Sequence, residues 1–414
     1  MHDRWIDHAI WWHAYPLGFV GAERDALPDG TAPVHRLGRF EPWLDHLVGL
    51  GCSGLALGPV FASETHGYDT VDFFRIDPRL GDDGDFDVLV AAARERGIRI
   101  LLDGVFNHVG RGFERFRAAQ DGDADARRWF RWDGDRPADF EGHSRLVELN
   151  HDEPAVQQHV AAVMEHWLGR GADGWRLDAA YRVPPSFWRA VLPGVRERFP
   201  EAWFVGEVIH GDYPAIVAES GLDSVTQYEL WKATWSALND RNLFELAHAL
   251  ERHSTAVESF APLTFLGNHD VTRLASRLDT PEHIGLAVAV LMTVGGVPSI
   301  YAGDEQGFTG VKEDREFGDD AVRPPFPDGP ADLAPFGAPI QELHQRLIGL
   351  RRRHPWLVRA RTTVEHLTNT TIAFRSSGGP GEELLTLLSV DDAAQRFPGV
   401  DDELPPHSWR VVGS

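Results

Sequence analysis

Three carboxylates in this chain each close a short apolar run. Asp178 ends Gly174-Trp175-Arg176-Leu177-Asp178, Glu207 follows Trp203-Phe204-Val205-Gly206, and Asp270 ends Leu266-Gly267-Asn268-His269-Asp270. A fourth run finishes Leu101-Leu102-Asp103-Gly104-Val105-Phe106-Asn107-His108. Crowded like charges oppose folding, so such clusters are poor scaffolding and good candidates for chemistry. Carboxylates in pairs suit glycosidic-bond cleavage. One must be ionised to attack or stabilise an oxocarbenium-like transition state, and the other must carry a proton for the leaving oxygen. Arg176, two residues before Asp178 and so on the same strand face, would keep that carboxylate ionised and oriented, which makes Asp178 the nucleophile candidate. Glu207, reached through Trp203-Phe204-Val205, is expected in a setting that raises its pKa and suits a general acid.

The elements that must carry these residues alternate. Candidate strands are 9–15, 54–57, 99–105, 174–177, 203–206, 224–228, 263–266 and 298–301, several of them continuous apolar runs of the kind buried on both faces. Helical patterns lie between them over 34–50, 86–96, 153–170, 185–198, 281–293 and 339–353. In the first of these, Leu37, Phe40, Leu44, Leu47 and Val48 recur at the helical period and make one buried stripe. Strand followed by helix, repeated about eight times, predicts an α/β fold, a (β/α)₈ TIM barrel whose polar strand ends meet at one mouth. Residues 110–150, rich in Arg, Asp, Gly and aromatics, read as a short insert after the third strand. After about Ala360 short strand-like runs at 370–374, 384–389 and 408–412 predict a small C-terminal all-β domain. The expected units are therefore 1–109 with 151–355 as the barrel, 110–150 as the inserted subdomain, and 356–414 as the β-domain. Residues 307–333, rich in Gly, Asp and Pro, form a long loop after the eighth strand.

Composition limits the partners. The 414 residues carry 63 Asp and Glu against 40 Lys and Arg, a formal charge of −23, and the longest basic run is Arg351 to Arg353. Such a surface repels phosphate backbones and anionic lipids, so neither a nucleic acid nor a membrane is an expected partner. The single cysteine, Cys52, excludes an intramolecular disulfide. The amino terminus carries charges where a signal peptide needs its apolar segment, and no run of about 18 apolar residues occurs, so a soluble cytoplasmic protein is expected.

The segments DGVFNHVG, DGWRLDAA, VGEVIHGD and FLGNHD resemble, in order and spacing, the four signature regions of the α-amylase family, glycoside hydrolase family thirteen. HGYDTVDFFRIDP before them and GGVPSIYAGDEQGF after them resemble two further family segments, so the resemblance spans roughly residues 10 to 350. It implies a retaining hydrolase of α-glucosidic bonds in maltooligosaccharides or related α-glucans. Asp178 matches the family's nucleophile, Glu207 its acid/base, and Asp270 the third carboxylate, which binds sugar hydroxyls. Arg176, His108 and His269 match residues that orient the nucleophile and hold the sugar, and Tyr68 matches the aromatic platform. Asp69 with Arg323 resembles an Asp and Arg pair near the nonreducing-side sugar. GWRLDAA followed by SFWR, and GEVIH, look closest to the neopullulanase, cyclomaltodextrinase and α-glucosidase-like branches.

The chain departs from the family at Asp178-Ala179-Ala180-Tyr181-Arg182, where many members carry a Lys-His pair serving the leaving side and a calcium site. No cofactor is required for the chemistry. A structural calcium is implied only through Asn107, which matches one of its ligands, and no catalytic metal is expected. Of the 14 tryptophans, Trp129 and Trp132 in the insert are the candidates for a sugar-facing wall. The alternatives are a transglycosylase or trehalose-forming isomerase using the same intermediate, and a catalytically inactive binding subunit.

Overall fold

The computed structural model describes residues 4–28, 30–315 and 317–413. Residues 1–3 and 414, at the ends of the expected first and last units, lie outside the described residues, as do Asp29 and Glu316. Eight parallel strands run β1 Trp11–Ala14, β2 Gly54–Leu57, β3 Arg99–Gly104, β4 Gly174–Leu177, β5 Trp203–Gly206, β6 Ser224–Val225, β7 Leu263–Phe265 and β8 Val297–Tyr301. They pair in the order β6-β5-β4-β3-β2-β1-β8-β7, and a parallel bridge between Thr226 and Leu263 joins the two ends into a barrel.

The pleat decides what the barrel contains. Trp11, Leu101 and Val205 belong to one buried cluster together with Trp203 and Leu263. Trp11 and Trp203 stack with centroids 5.9 Å apart, and a Cβ at Gly54 would lie 2.3 Å from the Trp11 ring, so glycine is required there. Two residues further along the same strands the positions become His13, Asp103 and Glu207. The barrel is therefore apolar at its floor and charged at its carboxyl mouth. The alternate residues Trp12, Leu55, Leu102, Trp175 and Phe204 face outward into the larger core under the helices.

Those helices are α1 Glu41–Leu50, α2 Asp83–Glu95, α3 Pro154–Gly169, α4 Pro185–Arg198, α5 Tyr213–Ser220, α6 Tyr228–Asn239, α7 Leu243–Val257, α8 His283–Thr293 and α9 Ala338–Arg353. Asp82 caps α2 by accepting from the N–H groups of Gly84 (2.8 Å) and Asp85 (3.2 Å). The first expected helix divides into a 3₁₀ turn over Leu37–Phe40 and α1. The sixth strand is shorter than expected: it ends at Val225, and Tyr228 opens α6, with Gln227 accepting from the N–H of Leu230 at the turn. Helices α5, α6 and α7 are additions to the expected set. Every residue of α8 is buried because the helix lies between the barrel and the C-terminal sheet, where Thr293 bonds Thr386 (3.0 Å). This sheet is an antiparallel meander of β9 Arg361–Leu367, β10 Thr371–Gly379, β11 Glu382–Ser389 and β12 Ser408–Gly413. Strand β9, rich in polar residues, was not expected. It is held in place by pairing with β10. No described helix is long and apolar enough to cross a membrane.

Candidate active site

Arg176 organises the barrel mouth. Its partner across the β3–β4 ladder is Asp103, and Nη1 donates to both Asp103 oxygens (2.8 and 2.7 Å) and to Oδ1 of Asp178 (3.0 Å). Nη2 lies 2.6 Å from Oε1 of Glu207 and 4.0 Å from Oδ2 of Asp270. The three expected carboxylates, with Asp103 as a fourth, thus share one guanidinium. Burial pushes Asp178 well above the usual carboxylate range; Arg176 opposes this, and the charges of Glu207, Asp103 and Asp270 add to it. Asp103 is raised in the same direction, again chiefly by burial. Burial also opposes ionisation of Asp270, but His269, Arg323 and Arg176 together hold that carboxyl well below the usual range.

Glu207 is better supplied with donors than its apolar strand suggests. Besides Arg176 it accepts from the Tyr228 hydroxyl (3.1 Å) and from the N–H of Ala179 (3.0 Å). Ala179 takes a left-handed conformation, φ 45°, to present that N–H. The expectation of an apolar setting for Glu207 is corrected: the strand side chains are apolar, but the carboxylate lies beyond them among donors.

Asp270 receives His269 Nε2 (3.0 Å) and Arg323 Nη2 (2.9 Å). Arg323 also bonds the His269 carbonyl (2.9 Å), pairs with Asp319 (3.1 Å) and lies over the Tyr15 ring. The Tyr68 ring is parallel to His269 at 5.4 Å, and its hydroxyl contacts His269 and donates to Asp103 (3.0 Å). His108 receives the Asn107 amide on Nδ1 (3.1 Å) and stacks on Phe140, while its Nε2 has no protein partner. Burial lowers His108 to about 3, against a backbone hydrogen bond with Tyr68, so the ring is neutral; the residue lines the cleft. Asp178, Glu207, Asp270, Tyr68, His108 and Arg323 all line this cleft of about 470 Å³, with Arg176 and His269 beneath it.

Two expectations are corrected. Asp69 forms no pair with Arg323. It is buried, and its carboxylate accepts from the N–H (3.0 Å) and hydroxyl (2.6 Å) of Thr65, so it braces its own loop. Trp129 and Trp132 do not form the cleft wall: Trp129 packs on Phe113 of the insert and His159 of α3, and Trp132 on Phe116 with Arg127 over its face. Phe140 and Trp231 take the aromatic positions on the wall. The expected site residues also leave out Asn268, which lies within FLGNHD, and Tyr228, which lies outside every signature segment; their 2.9 Å bond steadies the Tyr228 hydroxyl. Asp103 had a sequence signal, the two-residue spacing from inward-facing Leu101. Tyr228 had none beyond its place at the end of the expected sixth strand, 224–228.

The residues at Asn107 do not fit a calcium ion. Its side-chain amide N–H donates to His108 and its backbone carbonyl is taken by the Leu149 N–H, and no cluster of carboxylate or imidazole groups gathers around it among the described residues. The trio of carboxylate and imidazole donors that converges among the described residues is His35, Asp82 and Asp85, none of which lines the cleft.

The profile described as "Alpha amylase, catalytic domain" matches residues 41–328. The chain belongs to the α-amylase family. Within that family it is 30% identical over 341 residues to a cyclomaltodextrinase of Geobacillus thermopakistaniensis, covering 74% of this chain and 57% of the relative. An intracellular maltogenic amylase of Bacillus subtilis is 28% identical over 339 residues, covering 75% of this chain and 57% of that protein. The chain thus spans about 57% of the length of these relatives. A solved cyclic α-maltosyl-(1→6)-maltose hydrolase of Arthrobacter globiformis, in complex with that cyclic sugar, superposes with a TM-score of 0.85 at 26% identity and 99% coverage of both chains. In the α-amylase fold of the present chain, the acidic mouth offers two buried carboxylates joined through one arginine, an adjacent neutral imidazole and an aromatic face.

Proposed function

We propose that this chain is a retaining glycoside hydrolase that cleaves α-glucosidic bonds in maltooligosaccharides or related cyclic and linear α-glucans. The observation that carries the reading is the placement of Asp178 and Glu207 on the two Nη atoms of Arg176 inside one cleft. The relatives named for cyclomaltodextrins, maltose-forming cleavage and a cyclic maltose-containing sugar support the substrate class.

The clustered carboxylates compete for protons, and burial raises the affinity of Asp178 for one. The productive distribution places that proton on Glu207 and leaves Asp178 ionised against Arg176. Asp178 then attacks the anomeric carbon, the glycosidic C–O bond breaks, and the Glu207 proton passes to the leaving oxygen. In the second step water gives a proton to Glu207, its oxygen bonds the anomeric carbon, and the ester to Asp178 breaks. Asp270 accepts hydrogen bonds from sugar hydroxyls, Tyr68 offers a stacking face, and the neutral His108 ring lines the same cleft. His269 and Arg323 act by holding Asp270. The intracellular name of the Bacillus subtilis relative supports a cytoplasmic location.

Proton NMR of a maltotriose digest tests the mechanism: the first-formed reducing sugar is expected as the α anomer, and a β anomer appearing first overturns it. A product profile over maltotriose, pullulan, cyclodextrin and starch tests the substrate class.

A further inference from the structure

Asp270 rides on the loop 267–273, which follows β7 and ends at Arg273. His269 and Arg323 hold its carboxylate from the cleft side, but the loop must also be fixed from beneath. One buried side chain reaches both of its ends. Asp304 stands in the 3₁₀ turn Asp304–Gln306, just past β8, and is 5% exposed.

At the first end, Oδ2 of Asp304 fills the place of a side chain: a Cβ on residue 267 would lie 2.3 Å from it, so only glycine lets the carboxylate rest against the backbone there. At the other end, Oδ1 accepts from Nη1 of Arg273 (2.9 Å), which also donates to the carbonyl of Ala302 (2.9 Å), and the guanidinium lies over the Tyr301 ring. The Arg273 N–H donates to the carbonyl of Gly310 (3.0 Å). A buried ion pair is weak support for stability, because both charges give up their water. What this pair supplies is a fixed spacing between the loop and the end of β8. Oδ2 has no hydrogen-bond partner among the described residues, and burial pushes the Asp304 carboxyl up to about 7, with Arg273 opposing the rise and Glu305 adding to it. Burial keeps the neighbouring Tyr301 phenol protonated. Burial also opposes ionisation of Glu305, but His46 of α1, with His344 of α9 nearby, holds that carboxyl below its usual value. Of the two adjacent carboxyls, Asp304 is thus the one that changes charge near neutrality.

We propose that ionised Asp304, acting through Arg273, is a positioning residue for Asp270: it holds both ends of the loop at the spacing that aims the third carboxylate at the sugar hydroxyls. The inference rests on the retaining-hydrolase reading, in which Asp270 must hold the sugar more tightly in the transition state than in the ground state. When Asp304 gains a proton, its pull on Arg273 weakens and the loop end is released. A small misplacement of Asp270 is then enough to slow turnover.

The test follows fluoride release from α-glucosyl fluoride by the wild type, Asp304→Asn, Asp270→Asn and the double variant. Asp304→Asn keeps the shape and an oxygen for Arg273 but not the charge. It is expected to lose about tenfold in kcat/KM at about pH 8, where the wild-type carboxyl is ionised, and to lie within about twofold of wild type at about pH 6, where that carboxyl is protonated. In the Asp270→Asn background, which lacks the group being placed, the same change at about pH 8 is expected to cost less than about twofold. A merely structural pair would give equal losses at the two pH values and in the two backgrounds, and either equality overturns the proposal, as does wild-type kcat/KM in Asp304→Asn at about pH 8. If Asp270→Asn releases too little fluoride to measure, the pH comparison decides. If Asp304→Asn does not fold, Arg273→Lys, which keeps the cation without the guanidinium fork, decides by the same two comparisons. Wild-type protein that releases no fluoride instead overturns the hydrolase reading itself.

Discussion

The N–H of Ala179 donates to Oε2 of Glu207 across 3.0 Å, from a backbone conformation (φ 45°) that alanine rarely adopts. An L-residue in this region costs roughly 1–2 kcal/mol, and here the strain aims a donor at the acid next to the nucleophile. Ala179→Gly removes the strain and keeps the N–H, so the variant is expected to retain activity at wild-type stability or slightly above. Ala179→Val is expected to lose about 2 kcal/mol by urea titration and roughly tenfold or more in kcat/KM.

Asp178→Asn is expected to lower turnover by at least about 10³-fold and to raise thermal stability. The sign follows from linkage. Asp178 has a folded-state pKa above its unfolded value, so the folded state binds the extra proton and stability falls as pH rises above about 4. The advantage of the Asn variant should therefore be small near pH 4 and grow toward pH 7, where about 2 °C in Tm is expected. A constant or shrinking gap in calorimetry contradicts this.

The pH dependence of kcat/KM should show an acidic limb above the ordinary aspartate value of about 3.9. Below its apparent pKa the Asp178 carboxyl is protonated and cannot attack, and burial among Glu207, Asp103 and Asp270 moves that value upward. A limb at or below about 3.9, measured with α-glucosyl fluoride, would show that Arg176 outweighs burial.

Trp129 packs between Phe113 of the insert and His159 of α3 and is 8% exposed. Trp129→Ala is expected to destabilise the protein by about 3 kcal/mol while leaving KM for maltotriose within about twofold in the folded fraction. A large rise in KM with unchanged stability would return this ring to the substrate wall.

The barrel was legible because its signals are local. Gly54–Leu57, Gly174–Leu177 and Trp203–Gly206 are strands with the expected bounds, since a short apolar run between charged loops has one economical place in a parallel sheet. Helices α6 and α7 and strand β9 were not legible: their placement depends on packing against neighbours distant in the sequence.

The sequence by itself determined which carboxylates meet. Asp178, Glu207 and Asp270 each close a parallel strand or follow it within a few residues, and closure of the barrel brings those ends to one mouth. The tertiary structure decided what surrounds them. Asp69 turns to Thr65, Trp129 and Trp132 turn away from the cleft wall, and Tyr228, from the start of a helix, reaches Glu207. The physical reason is that a strand's pleat sets the direction of its side chains two residues at a time, whereas a loop or helix start is oriented by contacts made only after folding. Proton affinities followed the same division. Arg176 beside Asp178 suggested a carboxylate held ionised, but burial and three further carboxylates outweighed it, a balance fixed only by the assembled mouth.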